Sequence, residues 1–180
     1  MPESPRGEDA ALVAVQSALA DRPGVLAGAR ALSHFGEHSA GWLAVAALGW
    51  LLQPRRRPAW LAVGLGAFGA HAAAVVIKRL VRRKRPHHPA IAVNVGTPSA
   101  LSFPSAHATS TTAASLLLAR TIGSPLPLAV VPPMALSRLV LGVHYPTDVL
   151  TGVMVGAAVA QTVDTIAQRA TFGHARSRRI

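Results

Sequence analysis

Five apolar runs, separated by short basic or proline-containing breaks, constrain this chain more than any other feature. They are SAGWLAVAALGWLLQ, AWLAVGLGAFGAHAAAVVIK, AHATSTTAASLLLAR, LPLAVVPPMALSRLVLGV and TDVLTGVMVGAAVAQTVDTIAQ. A composition that is 51% hydrophobic and only 4% aromatic makes them helices rich in alanine, valine and leucine. Upstream, ALVAVQSALA and GVLAGARALSHF predict two short amphipathic helices, with Asp21 as an N-cap and Pro23 opening the second. These two either lie on the membrane interface or form one broken span. The expectation is an all-α integral membrane bundle of about six helices, multi-pass in a cell membrane.

At 180 residues there is room for one domain, with residues 1–37 as tail and N-terminal helices, 38–168 as the membrane core and 169–180 as a basic tail whose FGHARSRRI end reads as disordered. Several runs are nearer to about 15 residues than to 20, so each spans about 23 Å against a roughly 30 Å hydrocarbon core, and their ends should lie at the lipid interface. Trp42, Trp50 and Trp60 fall near run ends, which predicts indoles at headgroup level. Pro132 and Pro133 predict a kink in the fifth run. Gly152 and Gly156 in GVMVG permit close helix contact, read as packing inside one bundle in preference to a dimer seam, with oligomerisation left open. The acidic, proline-containing MPESPRGEDA does not read as a signal peptide.

The formal charge of +11 raises nucleic acid as a partner, but the cations sit between apolar runs and lack interleaved aromatic platforms. QPRRRPAW and IKRLVRRKRP fit membrane flanks that meet anionic headgroups or an anionic substrate. With no cysteine, disulfides, thiolate nucleophiles and zinc–thiolate sites are excluded. No internal repeat suggests a transporter built from two halves.

Counting spans places the end of the third helix, the start of the fourth, the end of the fifth and the start of the sixth on one membrane face. Three polar clusters occupy those ends: Lys78 and Arg85 in KRLVRRKRP, Ser105 and His107 in PSAH, and Arg138, His144 and Asp148 in SRLVLGVHYPTD. Each alone fits a blander role, as a snorkelling anchor, a helix start or a helix-capping pair. Together they supply the parts of a phosphoryl-transfer site. Lys78, Arg85 and Arg138 can bind non-bridging oxygens, and Ser105 with the amides of Ala106 and His107 can complete an anion cup at a helix N-terminus. A neutral His144 can attack phosphorus with Asp148 holding its other ring nitrogen, and His107 can protonate the leaving oxygen and then deprotonate water.

These three motifs resemble the signature of the type-2 phosphatidic acid phosphatase superfamily, in order and in spacing, from about Ser39 to Gln168. The one departure is Ala106, where the family usually carries glycine, which leaves the amide but restricts the backbone. The resemblance implies a phosphohistidine on His144 oriented by Asp148, with His107 as acid and base. It also implies phosphate held by Lys78, Arg85, Ser105, Ala106 and Arg138, with no metal and no cofactor. The alanine-rich GVLAGARALSHFGEHSAGWLAVAALG is similar to actinobacterial members that act on polyprenyl-linked sugar phosphates. The motifs alone leave pyrophosphate and phosphatidate-like lipids open.

Other polar residues carry lesser expectations. HFGEH, residues 34–38, formally fits a zinc-peptidase pattern but is interrupted by glycine and reads as an interfacial loop beside the site. His87 and His88 read as solvated loop residues, His71 as a packing histidine inside the third helix, and Asp164 as a solvated helix-end residue. PRRRP, Arg120 and the basic tail lie on the face away from the clusters, so the positive-inside rule predicts an extracytoplasmic site.

Overall fold

The computed structural model describes residues 4–177, with side chains described through residue 169. Its α-helices are α1 (Gly7–Leu19), α2 (Val25–Gly36), α3 (Ala40–Leu52), α4 (Arg57–Val81), α5 (Ala106–Ile122), α6 (Val131–Val140) and α7 (Pro146–Ser177). Short 3-10 turns join α2 to α3, α3 to α4 and α5 to α6. Among the described residues there is no sheet, only an isolated antiparallel bridge between Lys84 and Leu101. The all-α expectation therefore holds, with the two N-terminal helices separately formed.

Among the described residues, two segments are long and apolar enough to cross a membrane: Pro54–Val81, with mean hydropathy 1.8, and Pro146–Arg169, with mean hydropathy 1.5. Both turn large apolar side chains outward, including Leu61, Leu65, Phe68 and Val76 on α4 and Leu150, Met154 and Ile166 on α7. An apolar exterior on that scale belongs against lipid. The interior is made of small residues instead, with Ala46, Val63, Ala70, Ala113, Leu117 and Ala160 forming one buried cluster. Small side chains let backbones approach closely, and dispersion and backbone complementarity then hold helices together where lipid removes the hydrophobic drive.

The centre of the bundle is α5, which packs along both α4 and α7, while α3 lies on α4 and α6 rests against α2. A Cβ on Gly152 would come within 2.8 Å of the Ser105 carbonyl, and one on Gly156 within 2.3 Å of the Thr109 carbonyl. The glycine pair is thus used inside the chain to seat α7 against α5. At the far end Arg120 of α5 pairs with Asp164 of α7 at 3.1 Å, so Asp164 is a tie between helices and not simply a solvated end.

Three expectations are corrected by packing. Trp42 and Trp60 are buried in the protein, not placed in a headgroup belt: the Trp42 indole donates to Thr111 Oγ1 at 3.1 Å, and Trp60 lies against Gly49. Only Trp50 is substantially exposed, and Arg57 stacks over it at 4.2 Å. The alanine and glycine surfaces of neighbouring helices leave indole-sized gaps, and filling them outweighs the interfacial preference. Pro132 and Pro133 do not kink a helix interior. They stand in the first turn of α6, where proline costs no intrahelical bond, after the 3-10 turn Leu126–Val130. Finally, α7 continues to Ser177, into the FGHARSRRI segment expected to be disordered, since no proline interrupts it; residues 178–180 lie outside the described residues.

Candidate active site

The polar clusters meet where the chain changes direction at one end of the bundle. Helix α4 stops at Arg82, which adopts a left-handed φ of 55°, and α5 starts with Ser105 as N-cap. Helix α6 ends at Val140, and a turn through Gly142 leads to His144 and into α7. Gly142 has a φ of 69°, and a Cβ there would stand 2.2 Å from the Ala92 carbonyl, so the turn that delivers His144 requires glycine. Gln16 of α1 braces the same turn. Its amide donates to the carbonyls of Ala92 and Val140 at 2.7 and 3.0 Å and accepts from the Ala92 amide at 3.0 Å.

His144 is almost fully buried between two charges of opposite sign. Its Nε2 lies 3.4 Å from Arg85 Nη1 and its Nδ1 lies 3.7 Å from Asp148 Oδ2. An Arg donor facing Nε2 favours a lone pair there, which puts the hydrogen on Nδ1, toward the carboxylate. The 3.7 Å separation is longer than a hydrogen bond, so the carboxylate acts on the ring through its nearby charge. Burial, reinforced by Arg85 and Lys78, pushes the imidazole down to about 3, although Asp148 opposes the shift. The ring is consequently neutral near neutral pH, the form a nucleophile needs.

Three cations line the same cavity as that ring. Arg85 donates to the Val143 carbonyl at 2.6 Å and to the Ser99 carbonyl at 2.8 Å; burial lowers it to about 10, so it stays protonated at neutral pH. Lys78, buried, donates to the carbonyls of Leu101 and Ser102 at 3.0 and 3.1 Å. Arg138, only 2% exposed, donates to Ser137 Oγ and Ser33 Oγ, each at 3.1 Å. A cavity of about 590 Å³ is lined by all three together with Ala106, His107 and His144. His107 Nε2 lies 2.9 Å from the Ser33 carbonyl. A carbonyl only accepts, so Nε2 carries the hydrogen and Nδ1 is left for proton transfer.

Of the predicted site residues, Lys78, Arg85, Ala106, His107, Arg138 and His144 share this cavity, and Asp148 stands behind His144. Ser105 does not line it. Fully buried, it accepts from the Ala108 amide at 3.4 Å and donates its own amide to the Asp148 carbonyl at 2.9 Å, tying the start of α5 to the start of α7. The amides of Ala106 and His107 are free of intrahelical bonds by their place in the first turn. Ala106 is itself helical, so its methyl group brings no backbone strain.

Several contributors were not legible as site residues. Arg83 donates to Asp148 Oδ1 at 3.0 Å, is ion-paired with Glu8, and lies over the Tyr145 ring at 4.1 Å. Glu8 also accepts from the amide and hydroxyl of Thr147 at 2.9 and 2.8 Å. Ser33 on α2 contacts both Arg138 and His107. Residues Val95 to Ser99, in the loop between α4 and α5, form one wall of the cavity. The signal for the loop was its length, since long irregular connections in compact folds are commonly functional. His34, Glu37 and His38 also border the cavity, near its rim, while His87 is exposed.

Comparison with known proteins places this arrangement. The profile of the PAP2 superfamily matches residues 59–172. A decaprenylphosphoryl-5-phosphoribose phosphatase from Mycolicibacterium smegmatis is 78% identical over 152 residues, 84% of this chain and 84% of that protein. Its namesake from Mycobacterium tuberculosis is 69% identical over 163 residues, 91% of this chain and 92% of that protein. The fold is shared with the transmembrane PAP2 type phosphatidylglycerolphosphate phosphatase of Bacillus subtilis, at TM-score 0.71 and 21% identity over 89% of this chain and 86% of that one. It is also shared with LpxE of Aquifex aeolicus, at TM-score 0.65 and 15% identity over 92% of this chain and 99% of that one. By the breadth of the profile match and the similarity of these relatives, the chain belongs to the PAP2 superfamily.

Proposed function

We propose that this protein is a membrane lipid-phosphate phosphatase that removes the terminal phosphate of decaprenylphosphoryl-5-phosphoribose, yielding decaprenylphosphoryl-ribose and inorganic phosphate for cell-wall arabinan precursor synthesis. The substrate follows from the relatives' names. The observation that carries the chemistry is a neutral, buried His144 that lines one cavity with Lys78, Arg85 and Arg138 and has Asp148 behind it. In the first step the Nε2 lone pair attacks phosphorus and the bond from phosphorus to the ribose C5 oxygen breaks, that oxygen taking the Nδ1 proton of a His107 that enters the step as imidazolium. In the second, His107 removes a proton from water, the water oxygen attacks phosphorus, and the phosphorus–nitrogen bond breaks to release phosphate.

The cations balance charge on the equatorial oxygens, and the Ala106 and His107 amides add neutral donors. Asp148 steadies the positive charge that grows on the ring. With fixed cations in that position, the reaction is proposed to run without metal. Purified protein should release phosphate from the phosphoribosyl lipid at least about tenfold faster than from undecaprenyl pyrophosphate or phosphatidate. His144→Ala should lose at least about a thousandfold in kcat, as expected for a missing nucleophile. Equal rates for parent and variant contradict the enzyme reading, whereas a preference for one of the other lipids contradicts only the substrate.

The same reading puts the site on the extracytoplasmic side, supported by PRRRP and Arg120 on the opposite face. Thr97 lies on the loop beside the cavity and Arg56 at the far end of α4, and both are exposed. In this cysteine-free chain, Thr97→Cys should react with an impermeant maleimide in intact cells, and Arg56→Cys only after permeabilisation. The reverse pattern contradicts the orientation.

A further inference from the structure

From the His38–His71 pair on the wall of the phosphate cavity, we infer a second recognition site that binds the sugar hydroxyls of the substrate headgroup and selects a phosphosugar lipid over a plain lipid phosphate. The inference rests on the proposed phosphosugar reading and assigns residues to its specificity. Both rings line the cavity, with centroids 5.7 Å apart and planes inclined at 45°, an arrangement in which neither ring stacks on the other.

A packing histidine satisfies its nitrogens within the protein. His71 does not: its Nδ1 is buried without a partner, and no hydrogen bond occupies the more accessible Nε2, through which a group in the cavity can reach the ring. A hydroxyl that can both donate and accept suits that free nitrogen in either tautomer of the imidazole. The backbone around the pair carries a second cost. His38 and Ser39 both adopt left-handed conformations, with φ of 49° and 63°, which non-glycine residues rarely take and which cluster at functional sites. Ser39, fully buried, donates its hydroxyl to the Ala67 carbonyl at 3.3 Å. That carbonyl belongs to the turn of α4 one step before His71, so the strained corner fastens His38 against the turn that carries its partner.

Position along α4 supports a sugar in preference to a second copy of the phosphate site. His71 precedes Lys78 by two helical turns, a rise of roughly 10 Å. A phosphate held near Lys78 and His144 leaves the next part of the headgroup, the ribose, to extend along α4 toward His71. Continuing in that direction, Leu65 and Phe68 turn outward from the same helix into the apolar exterior, the side on which a polyprenyl chain must lie.

The test compares two substrates, decaprenylphosphoryl-5-phosphoribose and decaprenyl monophosphate, in the full-length protein in detergent. The readout is selectivity, the ratio of their kcat/KM values, which cancels the folded fraction of any variant. His71→Phe should lower that ratio about tenfold, mostly through KM for the sugar lipid, and His38→Ala should lower it in the same direction. His71→Gln, which keeps a donor and an acceptor, should lose less. An unchanged ratio in His71→Phe and His38→Ala overturns the sugar site while leaving the phosphatase reading intact. A parent protein without preference for the sugar lipid removes the substrate reading, and the sugar site with it.

Discussion

The Asp148 carboxylate is held before it meets the imidazole. Arg83 donates to Oδ1 at 3.0 Å and the Tyr145 amide donates to Oδ2 at 2.8 Å, while Glu8 grips Arg83 from outside. Asp148 is fully buried, whereas the Arg83 and Glu8 side chains are each about a third exposed, so their ion pair is worth little by itself. Its effect is on position. Arg83→Gln should lower kcat about tenfold to a hundredfold with KM for the lipid phosphate nearly unchanged, and Arg83→Lys should recover part of the loss, as steady-state kinetics on the purified variants will show. An equal loss in KM contradicts a positioning role. Arg83 was hidden in the sequence because KRLVRRKRP offers several cations, and only the fold shows which of them reaches Asp148. His144, Asp148 and His107 were legible because their chemistry needs particular residue types at particular helical spacings.

At the level of elements, the site depends on how closely α5 and α7 approach, since one begins beside His107 and the other carries Asp148. Gly156 faces the Thr109 backbone, so a large side chain there must push the two helices apart. Gly156→Leu should destabilise the protein by about 1–3 kcal/mol, seen as a lower melting temperature in detergent, and should lower activity as well; Gly156→Ala should show a smaller loss of both. A leucine variant with unchanged melting contradicts the packing role. The helices themselves could be read from apolar runs and their breaks; α2 matches its run to within a residue at each end, whereas α1 begins a turn earlier, at Gly7. What could not be read was long-range fit. Trp42 and Trp60 entered the core because gaps between alanine-rich helices are a property of pairs of helices, which no local window contains. The polar, proline-containing loop from Pro86 to Phe103 declares no site in its sequence, yet its carbonyls hold Lys78 and Arg85 in place.

For the whole molecule, the account depends on four helix ends reaching one face and sharing a single phosphoryl group. Counting spans was enough to bring Lys78, His107, Arg138 and Asp148 to that face, because alternating helices reverse direction whatever their tilt. The parts of the site that come from α1 and α2, Glu8 and Ser33, escaped that count, since amphipathic helices do not declare whether they cross or cover the bundle. Turnover by this route requires a covalent bond between phosphorus and His144. Rapid acid-free quenching of the enzyme with radiolabelled phosphoribosyl lipid, followed by peptide mapping, should find base-stable, acid-labile phosphate on the His144 peptide, in greater yield when His107→Asn slows hydrolysis of the intermediate. Turnover at the parent rate with no label on His144, or label on another residue, would contradict the account.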